Sequence, residues 1–134
     1  MEVTRKTFNG AILAGVLALT GLATVAFANT AAPFSAAAFK TAQDAGKPIL
    51  VEIHADWCPT CKAQKPILDR LTADAKFKDL QVFRVDFDGQ KDAVKQFGSQ
   101  MQSTLIVFKG AAEKGRSVGD TKEASIATLL DKGL

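Results

Sequence analysis

The chain has 134 residues, enough for one domain, and its 47% hydrophobic and 23% charged residues are typical of a globular protein. The formal net charge of +3 is spread along the chain without a basic run. This distribution argues against nucleic acid as a partner.

The first segment has the pattern of a secretory signal peptide. Arg5 and Lys6 precede an uncharged stretch whose centre, Ala11–Leu19, is apolar. The stretch ends at residues 26–28 in the small-x-small sequence Ala-Phe-Ala, which is the kind that a signal peptidase cuts. We therefore expect a signal peptide that is cleaved after Ala28.

These features divide the chain into a signal peptide, residues 1–28, and one mature domain, residues 29–134. The alternative is an uncleaved membrane anchor formed by residues 8–28, because this run reaches roughly the minimum length for spanning a bilayer. Its many Ala, Gly and Thr residues and the cleavage pattern favour the signal peptide. We expect a periplasmic protein with no membrane span after cleavage, in an oxidising compartment.

Helix and strand patterns alternate along the mature domain. Gly46 and Pro48 end the first helix, and the apolar run that follows is typical of a strand covered on both faces. The predicted elements, in chain order, are a helix from Ser35 to about Ala45, strand Ile49–Ala55, a helix from the cysteines to about Asp74, strand Leu80–Asp88, a short helix from about Asp92 to Phe97, strand Thr104–Phe108, a connection over Lys109–Gly115, its hairpin partner Arg116–Val118, and a last helix after a cap at Asp120. On the second helix, the apolar spacing places the core side at Ala63, Ile67, Leu68 and Leu71. The order predicts an α/β fold with a central mixed β-sheet flanked by helices.

Both cysteines of the chain lie in one short stretch, separated by two residues. Positions i and i+3 share a face of a helix, so Cys58 and Cys61 can approach each other. Pro59 suits a first helical position, which places Cys58 at the helix N-terminus, where backbone donors and the helix dipole favour a thiolate. The stretch is therefore a redox or metal-binding arrangement.

A structural disulfide is the alternative interpretation of Cys58 and Cys61. The chain-entropy model gives about 2 kcal/mol for closing so short a loop, against about 3 kcal/mol for a loop of fifteen residues. A fold in need of a covalent cross-link would place its only two cysteines far apart in sequence. We therefore favour a functional pair.

The sequence Trp57-Cys58-Pro59-Thr60-Cys61-Lys62, followed by Pro66, resembles the active site of the thioredoxin family. The resemblance covers the chain from about Leu50 to the C-terminus. Further matches at family-like spacing are Phe97-Gly98, Ser103-Thr104-Leu105, Phe108-Lys109 and Val118-Gly119. The resemblance implies a thioredoxin fold, thiol–disulfide exchange through a redox-active Cys58–Cys61 disulfide, and no cofactor.

Several positions depart from the family's pattern. The Pro-Thr dipeptide between the cysteines, and Glu52 where thioredoxins carry a buried Asp, are similar to exported reductases that serve cytochrome c maturation. The central insertion that is usual in that branch is missing. Arg84 falls where thioredoxins carry a Lys able to pair with the carboxylate. Ser103 occupies the position of the family's cis-proline, facing the disulfide.

A serine at position 103 should favour a trans peptide bond, because cis bonds before residues other than proline cost about 2.5–4 kcal/mol. The loop around Ser103 should then lie differently against Cys58. This difference can alter substrate docking and leave a metal-coordination position open.

For the exchange reaction we assign Cys58 as the exposed attacking thiolate and Cys61 as the less exposed resolving thiol. Glu52 is the candidate base that accepts the proton of Cys61. Alternatively, Arg84 could hold the Glu52 carboxylate ionised, which would make Glu52 a poorer base. A third alternative is that this face of the strand is solvated and that Glu52 has no role in the reaction. We expect Trp57 to shield the disulfide and offer apolar surface to partners, with plain core packing as the alternative. The residues expected to support the active site are Trp57, Pro59, Thr60, Lys62, Arg84, Ser103 and Thr104.

The first functional hypothesis is a monomeric periplasmic thiol–disulfide oxidoreductase, a reductase or redox carrier in cell redox homeostasis. Its expected partners are protein dithiol or disulfide substrates and a membrane or periplasmic thiol donor. The second hypothesis is a metal-binding module for copper(I), an iron–sulfur cluster or zinc, since soft thiolates suit these metals. Two cysteines make an incomplete site, for which Met101 and His54 are conceivable extra ligands. His54 is more simply interpreted as a packed or partly exposed side chain.

Overall fold

The computed structural model describes residues 29–134, so the predicted signal peptide, its cleavage after Ala28 and the alternative anchor at 8–28 lie outside the described residues. Within the described part, strands and helices follow the predicted order, with a two-residue strand and a 3₁₀ turn in addition. They are β1 Ala32–Pro33, α1 Ala36–Asp44, β2 Pro48–His54, α2 Pro59–Thr72, β3 Gln81–Asp86, α3 Lys91–Gln96, β4 Thr104–Lys109, β5 Ala112–Val118 and α4 Glu123–Asp131, with a 3₁₀ turn at Ala75–Phe77. None of the helices in this part of the chain has the length and apolar character needed to cross a membrane.

The strands form one mixed sheet in the order β1-β3-β2-β4-β5. β2 is parallel to β3 and antiparallel to β4, while β1 pairs in parallel with β3 and β5 pairs antiparallel with β4. The predicted α/β fold with a central mixed sheet flanked by helices is confirmed. β2 is the central strand and is buried along nearly its whole length, as expected for a strand covered on both faces.

Side chains of β2 alternate between the two faces of the sheet. Ile49 and Val51 face a core that α1 and α3 complete, whereas Leu50 faces a core that α2 and α4 complete. The first core is rich in aromatic rings, with neighbouring centroids 5.3 to 6.4 Å apart, from Phe34, Phe39, Phe83, Phe97 and Phe108. By the same alternation, Glu52 lies on the face of the sheet that α2 covers.

The C-terminal hairpin differs from its prediction. β5 spans Ala112–Val118 rather than Arg116–Val118, and a two-residue turn, Gly110-Ala111, replaces the longer predicted connection. Gly110 has φ +55°, and a Cβ there would be 3.2 Å from the backbone oxygen of Gln43, so the turn requires glycine. The first part of β5 was missed because it carries none of the β-branched or aromatic residues that mark a strand.

Candidate active site

The active-site stretch begins α2, as predicted. Cys58 is the N-cap residue, and its Sγ accepts a hydrogen bond of 3.1 Å from the Cys61 N–H. Pro59 occupies the first helical turn, where a residue without an N–H leaves no backbone bond unmade. The backbone donor and the positive end of the helix dipole both favour negative charge on the Cys58 sulfur.

Both cysteines are free in this structure and buried, each with only 2% of its surface exposed. The expectation that Cys58 is exposed, and more so than Cys61, is therefore wrong. Ala55, which follows β2, forms a buried cluster with the two cysteines, and Phe87, which follows β3, packs against that cluster. These neighbours come from other elements, so the local pattern around the cysteines could not reveal the cover. A substrate sulfur has to dock closely to reach Cys58.

The Cys61 thiol has a raised pKa. Burial is the main cause, followed by the hydrogen bond to Cys58 and the negative charge of Cys58 in its thiolate form. The backbone N–H groups of Ala55 and Ser103 act in the opposite direction and lower the pKa of Cys61. The net effect keeps the proton on Cys61 while Cys58 is a free thiol, which suits a resolving thiol.

Glu52 is buried, at 6% exposure, and pairs with Arg84 across β2 and β3. The Arg84 Nε and Nη2 atoms both donate to Oε2 of Glu52, at 3.0 and 2.9 Å. The alternative that this face of the strand is solvated is wrong. The guanidinium compensates the carboxylate's charge, which would otherwise be costly at a buried position. The family-like pairing of positions 52 and 84 is thus present with Arg in the cationic role.

Trp57 is 57% exposed, so the core-packing alternative is wrong, and its ring offers apolar surface beside Cys58. The Nε1 atom of Trp57 donates a 2.6 Å hydrogen bond to Oδ2 of Asp88, a residue in the loop after β3 that the sequence did not single out. The His54 side chain is 17% exposed and its Nε2 lies 3.1 Å from Oδ1 of Asp56, in agreement with a partly exposed histidine.

The other predicted supporting residues lie at the ends of α2 and β4. Thr60 and Lys62 are in the first turn of α2, where Thr60 is partly exposed and Lys62 is exposed. The Lys62 N–H donates to the Cys58 oxygen at 3.1 Å, which continues the helix. Thr104 is buried at the start of β4, and its Oγ1 donates to the Met101 oxygen at 2.7 Å. This bond closes the loop that precedes β4.

Ser103 lies in that loop and has the backbone geometry expected of a residue other than proline. No peptide bond within residues 29–134 is cis, so the bond before Ser103 is trans, as predicted. Ser103 has φ +57°, the left-handed region that favours glycine. Its oxygen accepts hydrogen bonds from the Gly119 N–H at 3.0 Å and from the Gln64 Nε2 at 3.2 Å. These two bonds hold the loop in a conformation that serine adopts reluctantly.

Gln64 is a buried polar residue that the sequence interpretation missed. It is 3% exposed, and its Nε2 also donates to the Asp120 oxygen at 2.9 Å. The predicted core side of α2 is partly wrong: Ala63 is exposed, while the buried positions are Cys61, Gln64, Leu68 and Thr72. An available signal was the spacing, because a residue three positions after Cys61 shares its face of the helix.

Within the described residues, no group of three or more His, Cys, Asp or Glu side chains is placed to hold a metal ion. Of the conceivable extra ligands, His54 does not join the two cysteines in such a group, and its ring interacts with Asp56.

A dithiol at the N-terminus of a helix, next to the central strand of a mixed sheet, is a site for thiol–disulfide exchange. The family model for thioredoxin matches residues 30–132. The chain therefore belongs to the thioredoxin family, and it is a thiol–disulfide oxidoreductase of the thioredoxin type.

Individual relatives agree with this assignment. The thioredoxin of Chlamydia muridarum is 34% identical over 84 residues, which are 63% of this chain and 80% of the relative. The thioredoxin of Pseudomonas aeruginosa is 31% identical over 87 residues, or 65% and 80%. Among solved structures, Trxlp from Edwardsiella tarda matches with a TM-score of 0.73 and 44% identity over 75% of this chain and 98% of that one. The predicted thioredoxin fold is confirmed.

Proposed function

We propose that the mature domain works in the periplasm as a reductase or redox carrier, with Cys58 as the attacking thiol and Cys61 as the resolving thiol. The asymmetry of the pair carries this assignment. The Cys58 sulfur receives the Cys61 N–H at the start of α2, whereas burial and the neighbouring Cys58 raise the pKa of Cys61. Cys58 is therefore placed to attack the substrate disulfide, and Cys61 keeps its proton until the mixed disulfide has formed.

In the forward reaction the Cys58 thiolate attacks one sulfur of a substrate disulfide. The substrate S–S bond breaks as a mixed disulfide forms, and the departing substrate sulfur takes up a proton. Cys61 then loses its proton and attacks the Cys58 sulfur, which releases the second substrate sulfur. The substrate gains two electrons and two protons, and the domain keeps a Cys58–Cys61 disulfide. A membrane or periplasmic thiol donor restores the dithiol by the reverse steps.

Formation of the mixed disulfide prepares the second step. The Cys58 sulfur then carries no charge, so one of the causes that raise the pKa of Cys61 disappears. We propose Glu52 as the group that accepts the Cys61 proton, because it is buried on the sheet face covered by α2, the helix that carries Cys61. The ion pair with Arg84 makes Glu52 a poorer base, so its position rather than its basicity supports this role. A Glu52→Gln variant should therefore slow resolution more than it slows the first attack.

The proposed location rests on the signal-peptide pattern of residues 1–28. A role in cytochrome c maturation is the narrower proposal, supported by Glu52 and by the Pro-Thr dipeptide between the cysteines. The central insertion that is usual in the exported reductases of this kind does not support this role, since β3 and α3 of the present chain are separated only by residues 87–90. Mass spectrometry of the periplasmic fraction tests the location: a mature N-terminus at Asn29 supports it, and a full-length chain in the membrane fraction contradicts it.

Turnover of a model protein disulfide tests the assignment of the thiols. The mature domain should reduce the substrate with dithiothreitol as electron donor, and Cys58→Ser should abolish this activity. Asp69→Asn is the matched control, because it alters an exposed residue of the same helix and should leave turnover unchanged. Turnover that survives in Cys58→Ser would contradict the proposal. The reduction potential of the pair, compared with periplasmic couples, then gives the direction in the cell.

A further inference from the structure

The backbone N–H of Ser103 is a donor that a proline at this position does not have. Ser103 is only 7% exposed, and within the described chain its N–H donates to no oxygen atom. A buried N–H without an acceptor is costly, so native structures almost always provide one. The group therefore needs a different partner close by.

The candidate acceptor is the Cys61 sulfur, because Gln64, one turn further along the same buried face of α2, binds the Ser103 oxygen at 3.2 Å and so brings the Ser103 loop onto that face. Cys61 is itself buried, and the backbone N–H groups of Ala55 and Ser103 both lower the pKa of its thiol. Ala55 is 1% exposed and directly follows β2, while Ser103 approaches from the loop before β4. Donors from two different segments thus influence the Cys61 thiol, and Cys58 is the titratable group that interacts with it.

We propose that the Ser103 N–H donates a hydrogen bond to the Cys61 sulfur and that Gln64 is the positioning residue that holds Ser103 there. Gln64 follows Cys61 by three residues on the same face of α2, and its Nε2 binds the Ser103 and Asp120 oxygens at once. The helix that carries the thiol therefore also fixes the loop that carries the donor. The Gly119 N–H, directly after β5, donates a second hydrogen bond to the same Ser103 oxygen.

This inference deepens the proposed function, because it assumes that Cys61 acts as the resolving thiol. When Cys61 gives up its proton and attacks the Cys58 sulfur, negative charge develops on a buried atom. A backbone donor fixed in advance stabilises that charge without reorganisation. Ser103 would then assist the step for which Glu52 accepts the proton.

Nuclear magnetic resonance of the reduced Cys58→Ser variant tests the contact without any turnover. Cys61 is then the single thiol, and its Cβ shift reports its ionisation. The Ser103 amide proton should move with the same midpoint as the Cys61 Cβ. An amide proton that stays in place through the Cys61 titration overturns the proposal, even if the enzyme works as proposed.

Replacing the Ser103 amide by an ester removes the N–H and leaves the side chain in place, while it weakens the Gln102 oxygen as the acceptor of the Ser103 hydroxyl. The Cys61 midpoint should rise by about one pH unit, which reduces the thiolate fraction about tenfold at a given lower pH. The control is an ester at Met101, an exposed neighbour in the same loop, which should leave the midpoint unchanged. Equal midpoints for the Ser103 ester and the unmodified chain would overturn the proposal.

Gln64→Met keeps the side-chain length and removes the donor. We expect it to shift the Ser103 amide resonance and to slow release of the second substrate thiol in a single turnover, with the first release unchanged. Thr72→Val is the control, because Thr72 is also buried on α2 but bonds only within the helix, to the Leu68 oxygen at 2.8 Å. An unmoved Ser103 resonance in Gln64→Met removes Gln64 from the proposal. If the unaltered protein releases only the first substrate thiol in a single turnover, the assigned role of Cys61 as the resolving thiol is refuted instead.

Discussion

Removal of the Arg84 side chain should destabilise the domain more than removal of its partner Glu52. Arg84→Met leaves a carboxylate at a site that is 6% exposed, without the two donors that now reach its Oε2 at 2.9 and 3.0 Å. Truncating one partner of a buried ion pair costs roughly 3–5 kcal/mol. The Arg84 side chain is 31% exposed, so water can replace part of its effect, and we expect about 2 kcal/mol.

Glu52→Leu behaves differently for a physical reason. Leucine fits the face of β2 that already holds Leu50, and the freed Arg84 can turn its charged head towards water. We therefore expect Glu52→Leu to change stability by less than about 1 kcal/mol, and the double variant to resemble Glu52→Leu. Urea unfolding at pH 7, followed by circular dichroism, measures all three variants and the coupling between them.

The control for this series is an exposed ion pair of the same type. Arg70 lies 2.6 Å from Glu123, but their side chains are 58% and 50% exposed, so Arg70→Met should cost less than about 1 kcal/mol. The reasoning would be refuted if Arg84→Met and Glu52→Leu each lowered the free energy of unfolding by the same amount and if the two losses added in the double variant. Such a result would show that removal of Arg84 does not leave Glu52 as an uncompensated buried charge.

Three further predictions concern the thiol pair, the loop residue at positive φ and the exposed tryptophan. Because the folded state raises the pKa of Cys61, the thiol of the unfolded chain ionises first as the pH rises. The free energy of unfolding of the reduced protein, relative to that of Cys61→Ala, should therefore fall above about pH 8.5. Urea unfolding measures this difference between the two proteins, and a value that is constant from about pH 7 to 10 would contradict the prediction. Ser103→Pro restores the family's residue, but proline cannot adopt φ +57°, so this variant should destabilise the domain by more than about 1 kcal/mol. Ser103→Gly should be neutral or stabilising, because glycine adopts this φ readily. The prediction is wrong if the same unfolding assay finds the proline variant more stable than the glycine variant. Trp57→Ala should change stability by less than about 1 kcal/mol but raise KM for a protein disulfide, and steady-state kinetics with an unchanged KM would exclude a docking role for the ring.

Features that depend on local pattern could be predicted from the sequence. The helix begins at Pro59, directly after its N-cap Cys58, because a proline and a capping side chain act within one turn. β2 was recognised as a central strand because its apolar run leaves no polar face, and the buried Glu52 stood out within that run. The trans bond before Ser103 follows from the energetics of one peptide unit.

Features that depend on contacts between distant segments could not be predicted in this way. Phe87 packs against the buried cluster of Ala55 and the two cysteines, and Asp88 accepts the hydrogen bond of the Trp57 ring; both residues come from the loop after β3. Gln64 looked like one more polar residue of a helix, because its acceptors, the Ser103 and Asp120 oxygens, lie 39 and 56 residues away along the chain. Burial of a polar side chain becomes visible only when its partners are known.

The measurement that tests the central claim most directly is trapping of the mixed disulfide. The two single variants, Cys58→Ser and Cys61→Ser, are each incubated with a protein disulfide, and the covalent adducts are identified by mass spectrometry of peptides. If Cys58 attacks and Cys61 resolves, Cys61→Ser accumulates an adduct through Cys58, and Cys58→Ser accumulates little or none. An adduct that forms at least as fast through Cys61 in the Cys58→Ser variant would contradict the account.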